Sequence, residues 1–106
     1  MQPKKNDDGK IPLDLLPFDA VEAVGAVERF GAEKYGRRNW ESNGGMSYGR
    51  LIAAALRHIF AFSMGKDTDE ESKLPHLAHA ACNILFLLAY QLRNIGEDDR
   101  GQYDPE

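Results

Sequence analysis

Scarcity sets the first limits on this 106-residue chain. It has one cysteine, Cys82, so no disulfide can form within the chain, and a lone thiol fits a reducing compartment. It has no basic excess: 13 Lys and Arg stand against 17 Asp and Glu, a formal net charge of −4. That balance argues against a general nucleic-acid-binding surface, and any anion must be gripped by a local cluster of cations. The first residues, Met1-Gln2-Pro3-Lys4-Lys5-Asn6, are followed by no apolar segment, so the start does not read as a signal peptide and a cytoplasmic location is expected. No stretch alternates apolar and polar residues with period two, and neither a repeat nor a low-complexity tract is present, so essentially no sheet is expected. Residues 74–92 lack any formal charge and are long enough to suggest a membrane span. They include Pro75, His76, His79, Asn83 and Gln91 with four alanines, which suits a buried helix of a soluble protein instead.

What is present describes a folded all-α domain. Hydrophobic residues make up 42% and charged residues 28%, and the length gives room for one core. Residues 1–17 read as an N-terminal arm, polar at first and then an extended anchor, Ile11 to Leu16, bounded by Pro12 and Pro17. Residues 18–96 read as the helical domain and 97–106 as an acidic tail. The first helix is expected from Asp19, where Asp19 and Glu22 have capping-box spacing, to about Tyr35 before Gly36. The second starts near Ser47 as N-cap and ends at Gly65. The third has Pro75 at its first position and runs to about Asn94, before Gly96.

At about 100° per residue the faces of these helices differ. Val21, Val24, Val27, Phe30 and Tyr35 form an apolar face on the first, with Glu22, Arg29 and Glu33 opposite in water. Glu28 lies at the edge of the apolar face, and Lys34 lies on the apolar side near the helix end. The second and third helices are apolar nearly all round; from Leu51 to Met64 the polar residues are Arg57, His58 and Ser63. A chain this short cannot cover two such helices alone, and a second copy is the simplest cover, so a homo-oligomer, dimer or tetramer, is expected.

The chemistry-bearing residues sit where apolar ones belong. His76, His79, Asn83 and Tyr90 fall within about 60° on the third helix. On the second, His58 shares a stripe with Leu51, Ala55 and Phe62, and Arg50 and Arg57 share the next. Buried imidazoles and guanidinium groups need partners. One histidine alone is better read as fixing register through a main-chain carbonyl or Tyr90. Three of them, with an asparagine and two arginines, read as a site facing a cavity between the second and third helices. His58, His76 and His79 are candidate catalytic residues, since imidazole moves protons near neutral pH. His76 and His79 with His58 also offer a transition metal three nitrogens. In the loop before the third helix, Asp67, Asp69, Glu70 and Glu71 complement the helix dipole; Asp67 and Asp69 are the candidate Mg²⁺ ligands. Lys34, Tyr35, Arg38, Asn39 and Trp40 place cations beside aromatic faces after the first helix. With Arg50, Arg57 and Asn83 they are the candidate nucleotide-binding set.

Several of these segments carry a resemblance. Pro12-Leu13-Asp14-Leu15-Leu16-Pro17, Phe30-Gly31-Ala32-Glu33-Lys34-Tyr35-Gly36 with Asn39-Trp40, Leu56-Arg57-His58, and Leu74-Pro75-His76-Leu77-Ala78-His79-Ala80-Ala81-Cys82-Asn83 resemble a phage-encoded family, the dATP/dGTP diphosphohydrolase N-terminal domain. The resemblance covers residues 10–92 and places the protein in a host cytoplasm. It implies kinship with MazG-like all-α nucleoside-triphosphate pyrophosphohydrolases: helical oligomers that release a nucleoside monophosphate and pyrophosphate with Mg²⁺ held by helix carboxylates. Their pattern is Glu-x-x-Glu on one helix and Glu-x-x-Asp on a later one. This chain instead offers Arg57-His58 and His76-x-x-His79, with Glu28 and the Asp67/Asp69 loop as its oxygen donors. Three functions follow: a (deoxy)purine nucleoside-triphosphate pyrophosphohydrolase, a protein that sequesters a nucleotide or nucleotide signal without turnover, or a purely structural helical oligomer.

Overall fold

The computed structural model describes residues 2–101. Three helices carry the chain: α1 (Phe18–Tyr35), α2 (Tyr48–Ser63) and α3 (His76–Arg93), with short 3-10 helices at Leu13–Leu15 and Asn39–Gly44. The fold is all-α. Among the described residues no strand forms, and two isolated bridges, Ser47 with Glu97 and Thr68 with Pro75, only tie loops to helix ends. No described helix is long and apolar enough to cross a membrane. The expected extended anchor at Ile11 to Leu16 is in part a 3-10 turn, and residues 102–106 of the expected tail lie outside the described residues.

Proline and glycine set most boundaries, while the caps differ from those expected. Helix α1 starts at Phe18 behind Pro17, one residue early, so Asp19 lies inside the first turn. There its carboxylate meets the N–H of Ala20 at 2.7 Å and forms no capping box, although a negative charge still complements the dipole. The helix stops at Gly36, whose φ of 97° suits glycine and whose N–H reaches the Ala32 carbonyl at 2.8 Å. Ser47 does precede α2, but its hydroxyl caps nothing. Instead the Glu97 carbonyl accepts from Tyr48 N–H and Asp99 Oδ1 from Gly49 N–H, both at 2.8 Å. Helix α2 ends at Ser63, before Gly65, and Pro75 is the N-cap of α3 rather than its first residue. Asn94 closes α3 in the left-handed conformation at φ 57°.

Helix α3 is the centre: α1 and α2 each pack on it and scarcely touch each other. Its small residues Ala78 and Cys82 let Val24 and Val27 of α1 come close, and Leu51 and Ala55 are the buried residues of α2. Val21 and Tyr35 are not core residues as expected; they are 44% and 64% exposed. Tyr90 is fully buried near the C-terminal end of α3, donating its hydroxyl to the Trp40 carbonyl and accepting from Met46 N–H at 3.0 Å. Gly96 must be glycine here, because a Cβ would lie 2.6 Å from the Tyr90 ring and φ is +83°. This latch holds the segment between α1 and α2 against the end of α3.

Candidate functional site

Because α1 and α2 each pack on α3 and scarcely touch each other, an open groove of about 1590 Å³ runs between them. It lies between α1 and α2 rather than between α2 and α3, as the sequence had suggested. Glu28, Lys34 and Tyr35 stand on the α1 wall, Arg50, Arg57 and His58 on the α2 wall, and His79, Cys82 and Asn83 of α3 form the floor. Arg38, Asn39 and Trp40 close one end, and Asp69 and Glu71 reach in from the loop before α3.

The three histidines converge. His58 Nδ1 and His76 Nδ1 are 2.9 Å apart, so as neutral rings one must hold the proton that the other accepts. The His79 ring stacks on His58 at 4.4 Å and 10°. Its Nε2 lies 2.6 Å from Ser72 Oγ. Ser72 in turn donates its N–H and Oγ–H to Asp69 Oδ2 at 2.8 and 2.9 Å. One chain of donors satisfies all these bonds: His79 Nε2–H to Ser72, and Ser72 to Asp69. No ring bonds a main-chain carbonyl or Tyr90 among the described residues, so the register-fixing role considered from sequence is not what these contacts show. The expected stripe divides, with Tyr90 in the latch, His79 and Asn83 on the groove floor, and His76 buried outside the groove lining.

Charge follows from these contacts. Burial, then the neighbouring His79 and His76, lowers the pKa of His58 below its ordinary 6.5. Burial likewise lowers His79, against the pull of Asp69 3.9 Å away. Burial alone would raise Asp69, but the two Ser72 bonds and the adjacent imidazoles outweigh it and hold the carboxyl below its usual value. At neutral pH the cluster is therefore one carboxylate beside neutral His58 and His79.

The cations fall into two groups. Lys34 pairs with Glu71 at 2.7 Å and lies over the Phe30 and Tyr35 rings, and the Glu71 and Tyr35 side chains raise its pKa. Arg38 pairs with Glu41 at 2.9 Å. Arg50 and Arg57 form no ion pair among the described residues. The Trp40 ring is stacked on Phe86 at 4.5 Å, under the Arg93 guanidinium, and so is engaged in packing. Asn39 uses its carbonyl for Ser42, and Asn83 donates to the His79 carbonyl at 2.9 Å, its Oδ1 having no partner among the described residues. Asp67 is exposed and contributes its main-chain carbonyl, at 2.9 Å from His76 N–H, rather than a carboxylate. Ser72 was missed from sequence; the signal was Asp69-x-x-Ser72, spacing suited to a side-chain turn ahead of a helix.

Residues 1–100 match the family model described as dATP/dGTP diphosphohydrolase, N-terminal. The chain belongs to that family. It is 38% identical over 96 residues to a dATP/dGTP diphosphohydrolase of Salmonella phage PMBT28, covering 91% of this chain and 32% of that protein. The chain thus spans about a third of that relative's length. No solved structure matches it. Within this dATP/dGTP diphosphohydrolase N-terminal family member, neither α2 nor α3 contains an Asp or Glu. The donors that do converge are two imidazoles and the single carboxylate of Asp69, which is not the oxygen set Mg²⁺ prefers.

Proposed function

We propose that the groove binds a purine deoxynucleoside triphosphate and that the domain serves its hydrolysis to nucleoside monophosphate and pyrophosphate. The observation that carries this reading is the pair of guanidinium groups, Arg50 and Arg57, unpaired among the described residues, beside the neutral His58 and His79 imidazoles in an open groove. Guanidinium groups suit phosphate oxygens, and Lys34, released from Glu71, adds a third cation. Tyr35, 64% exposed on the groove wall, is free to lie against a base, whereas Trp40 is already stacked. In the reaction, water attacks the α-phosphorus, the bond to the bridging oxygen breaks, and pyrophosphate leaves. Neutral His79, its Nε2–H held by Ser72, is able to orient that water and take its proton on Nδ1. The name of the phage relative, a dATP/dGTP diphosphohydrolase, agrees with this substrate class.

The test is pyrophosphate release from dATP and dGTP with divalent cations present. Turnover should fall by about tenfold or more in Arg57→Ala, the value of one charge-assisted bond, with helicity unchanged. Recovery of all eight common nucleotides intact overturns hydrolysis. The lack of carboxylates on α2 and α3 favours a second reading, in which the same groove holds a nucleotide or nucleotide signal without turnover. Stoichiometric ligand released unchanged on denaturation would mark it. For the apolar faces of α2 and α3 we propose a second copy of the chain as cover, with the net charge of −4 weighing against a nucleic-acid partner.

A further inference from the structure

We propose that His58, His76 and Asp69 bind one first-row transition-metal ion, Zn²⁺ fitting best, in preference to Mg²⁺. The three come from separate places, α2, the start of α3 and the loop between them, yet one ligand atom from each lies within 4.8 Å of the others. The two Nδ1 atoms, 2.9 Å apart while they share a hydrogen bond, would have to part by about half an ångström to reach the ~3.4 Å edge of a tetrahedron whose nitrogens lie about 2.1 Å from a shared metal. Asp69 Oδ2 is used by Ser72, while Oδ1 carries no hydrogen bond among the described residues and is free to coordinate.

The surroundings hold these donors in place. Asp69 is fixed through its N–H on the Leu74 carbonyl at 2.9 Å and its own carbonyl on Lys73 N–H at 2.8 Å. That tight turn puts Lys73 at φ 63°, a conformation a residue with a Cβ adopts only when its surroundings impose it. His79 is not one of the converging donors, and its Nε2 is engaged by Ser72. Instead His79 and Ser72 act as positioning residues, one stacked on a ligand imidazole and the other bonded to the ligand carboxylate, the support that metal ligands usually need.

Donor chemistry selects the ion. Two imidazoles and one carboxylate suit borderline divalent metals, whereas Mg²⁺ requires near-octahedral oxygen and dehydrates reluctantly. Three protein ligands leave open positions, as in metal sites that bind water or a substrate oxygen, and His58 and Asp69 both border the groove. The metal expected from the family's wider kin therefore differs from the one these side chains would hold.

The test is calorimetric titration of Zn²⁺ into untagged, chelator-treated full chain at about neutral pH, repeated with Co²⁺ followed by visible absorption. The expected result is one Zn²⁺ per chain, retained against about a hundredfold excess of Mg²⁺. His58→Gln and Asp69→Asn should each weaken binding at least tenfold, and Ser72→Ala about tenfold through lost orientation, with circular dichroism unchanged. His76 is buried, so the exposed-side ligands carry the test in case His76 variants fail to fold. No saturable binding, binding unaltered in both ligand variants, or equal affinity for Mg²⁺ would overturn the site and leave two imidazoles that merely share a proton. The titration contains no nucleotide, so its outcome is separate from that of the hydrolysis assay.

Discussion

Cys82 shows how much one position on α3 is decided by its surroundings. Its thiol is buried among Val24, Val27 and Ala78, and burial, with Glu28 adding a smaller push, raises its pKa from 9.0 to about 12. The folded state therefore favours the neutral thiol. Below the ordinary thiol pKa both folded and unfolded chains hold the proton and this preference is fully satisfied. As pH rises from 9.0 towards 12 the unfolded chain loses its proton first, so stability falls across that window. Denaturation midpoints should decline over this alkaline range, and the decline should be shallower in Cys82→Ala. Alkylation at about pH 8 should be far slower in the folded than in the unfolded protein, because the thiolate is the nucleophile. Equal alkylation rates would contradict the burial. His58, His76 and His79 were legible from sequence because imidazoles stood out on helices that otherwise avoid polar groups. Ser72 was not, since a serine in a polar loop carries no contrast, and only the fold of the loop brings its hydroxyl to His79 and Asp69.

Helix boundaries were legible to within a residue or so where backbone chemistry decides them: Pro75 at the start of α3, Gly36 and Asn94 at the ends of α1 and α3, whereas Pro17, not Asp19, sets the start of α1. Caps were less so, because a cap can come from anywhere in the chain. Ser47 occupies the N-cap of α2, yet the bond to Gly49 N–H comes from Asp99, fifty residues further on. The arrangement predicts an unusual ranking. Asp99→Ala should lower the unfolding free energy by about 1 kcal/mol, the ordinary cost of a lost cap, whereas Ser47→Ala should cost clearly less. Urea denaturation with unchanged slopes measures both. The reverse order would mean that the serine hydroxyl caps α2 in solution and the tail does not. Phe30, Val24 and Val27 of α1 were placed inward by periodicity, but Val21 and Tyr35 were misplaced, because α1 has one neighbour, α3, and its ends run past that contact.

That one-sided packing also divides the molecule into two faces. On α3, Cys82 and Phe86 look into the groove, while Leu77, Ile84 and Leu88, each close to half exposed, lie on the opposite side of the helix at about 100° per residue. On α2, His58 and Ala54 line the groove, and Leu56 and Phe60, 58% and 66% exposed, lie away from it. Large apolar side chains exposed on both helices favour an interface, and their position away from the groove would leave it accessible after association. Light scattering on the eluting protein should give a mass of at least two chains. Phe60→Asp combined with Leu88→Asp should shift it towards one chain at equal helicity, since a charge in an apolar contact has no partner. The same variant should keep the metal and nucleotide binding of the parent, because neither substitution touches the groove. Loss of binding together with loss of association would instead mean that the groove is completed by the second copy. A parent protein that stays monomeric at every concentration would remove the second copy as the cover of this face.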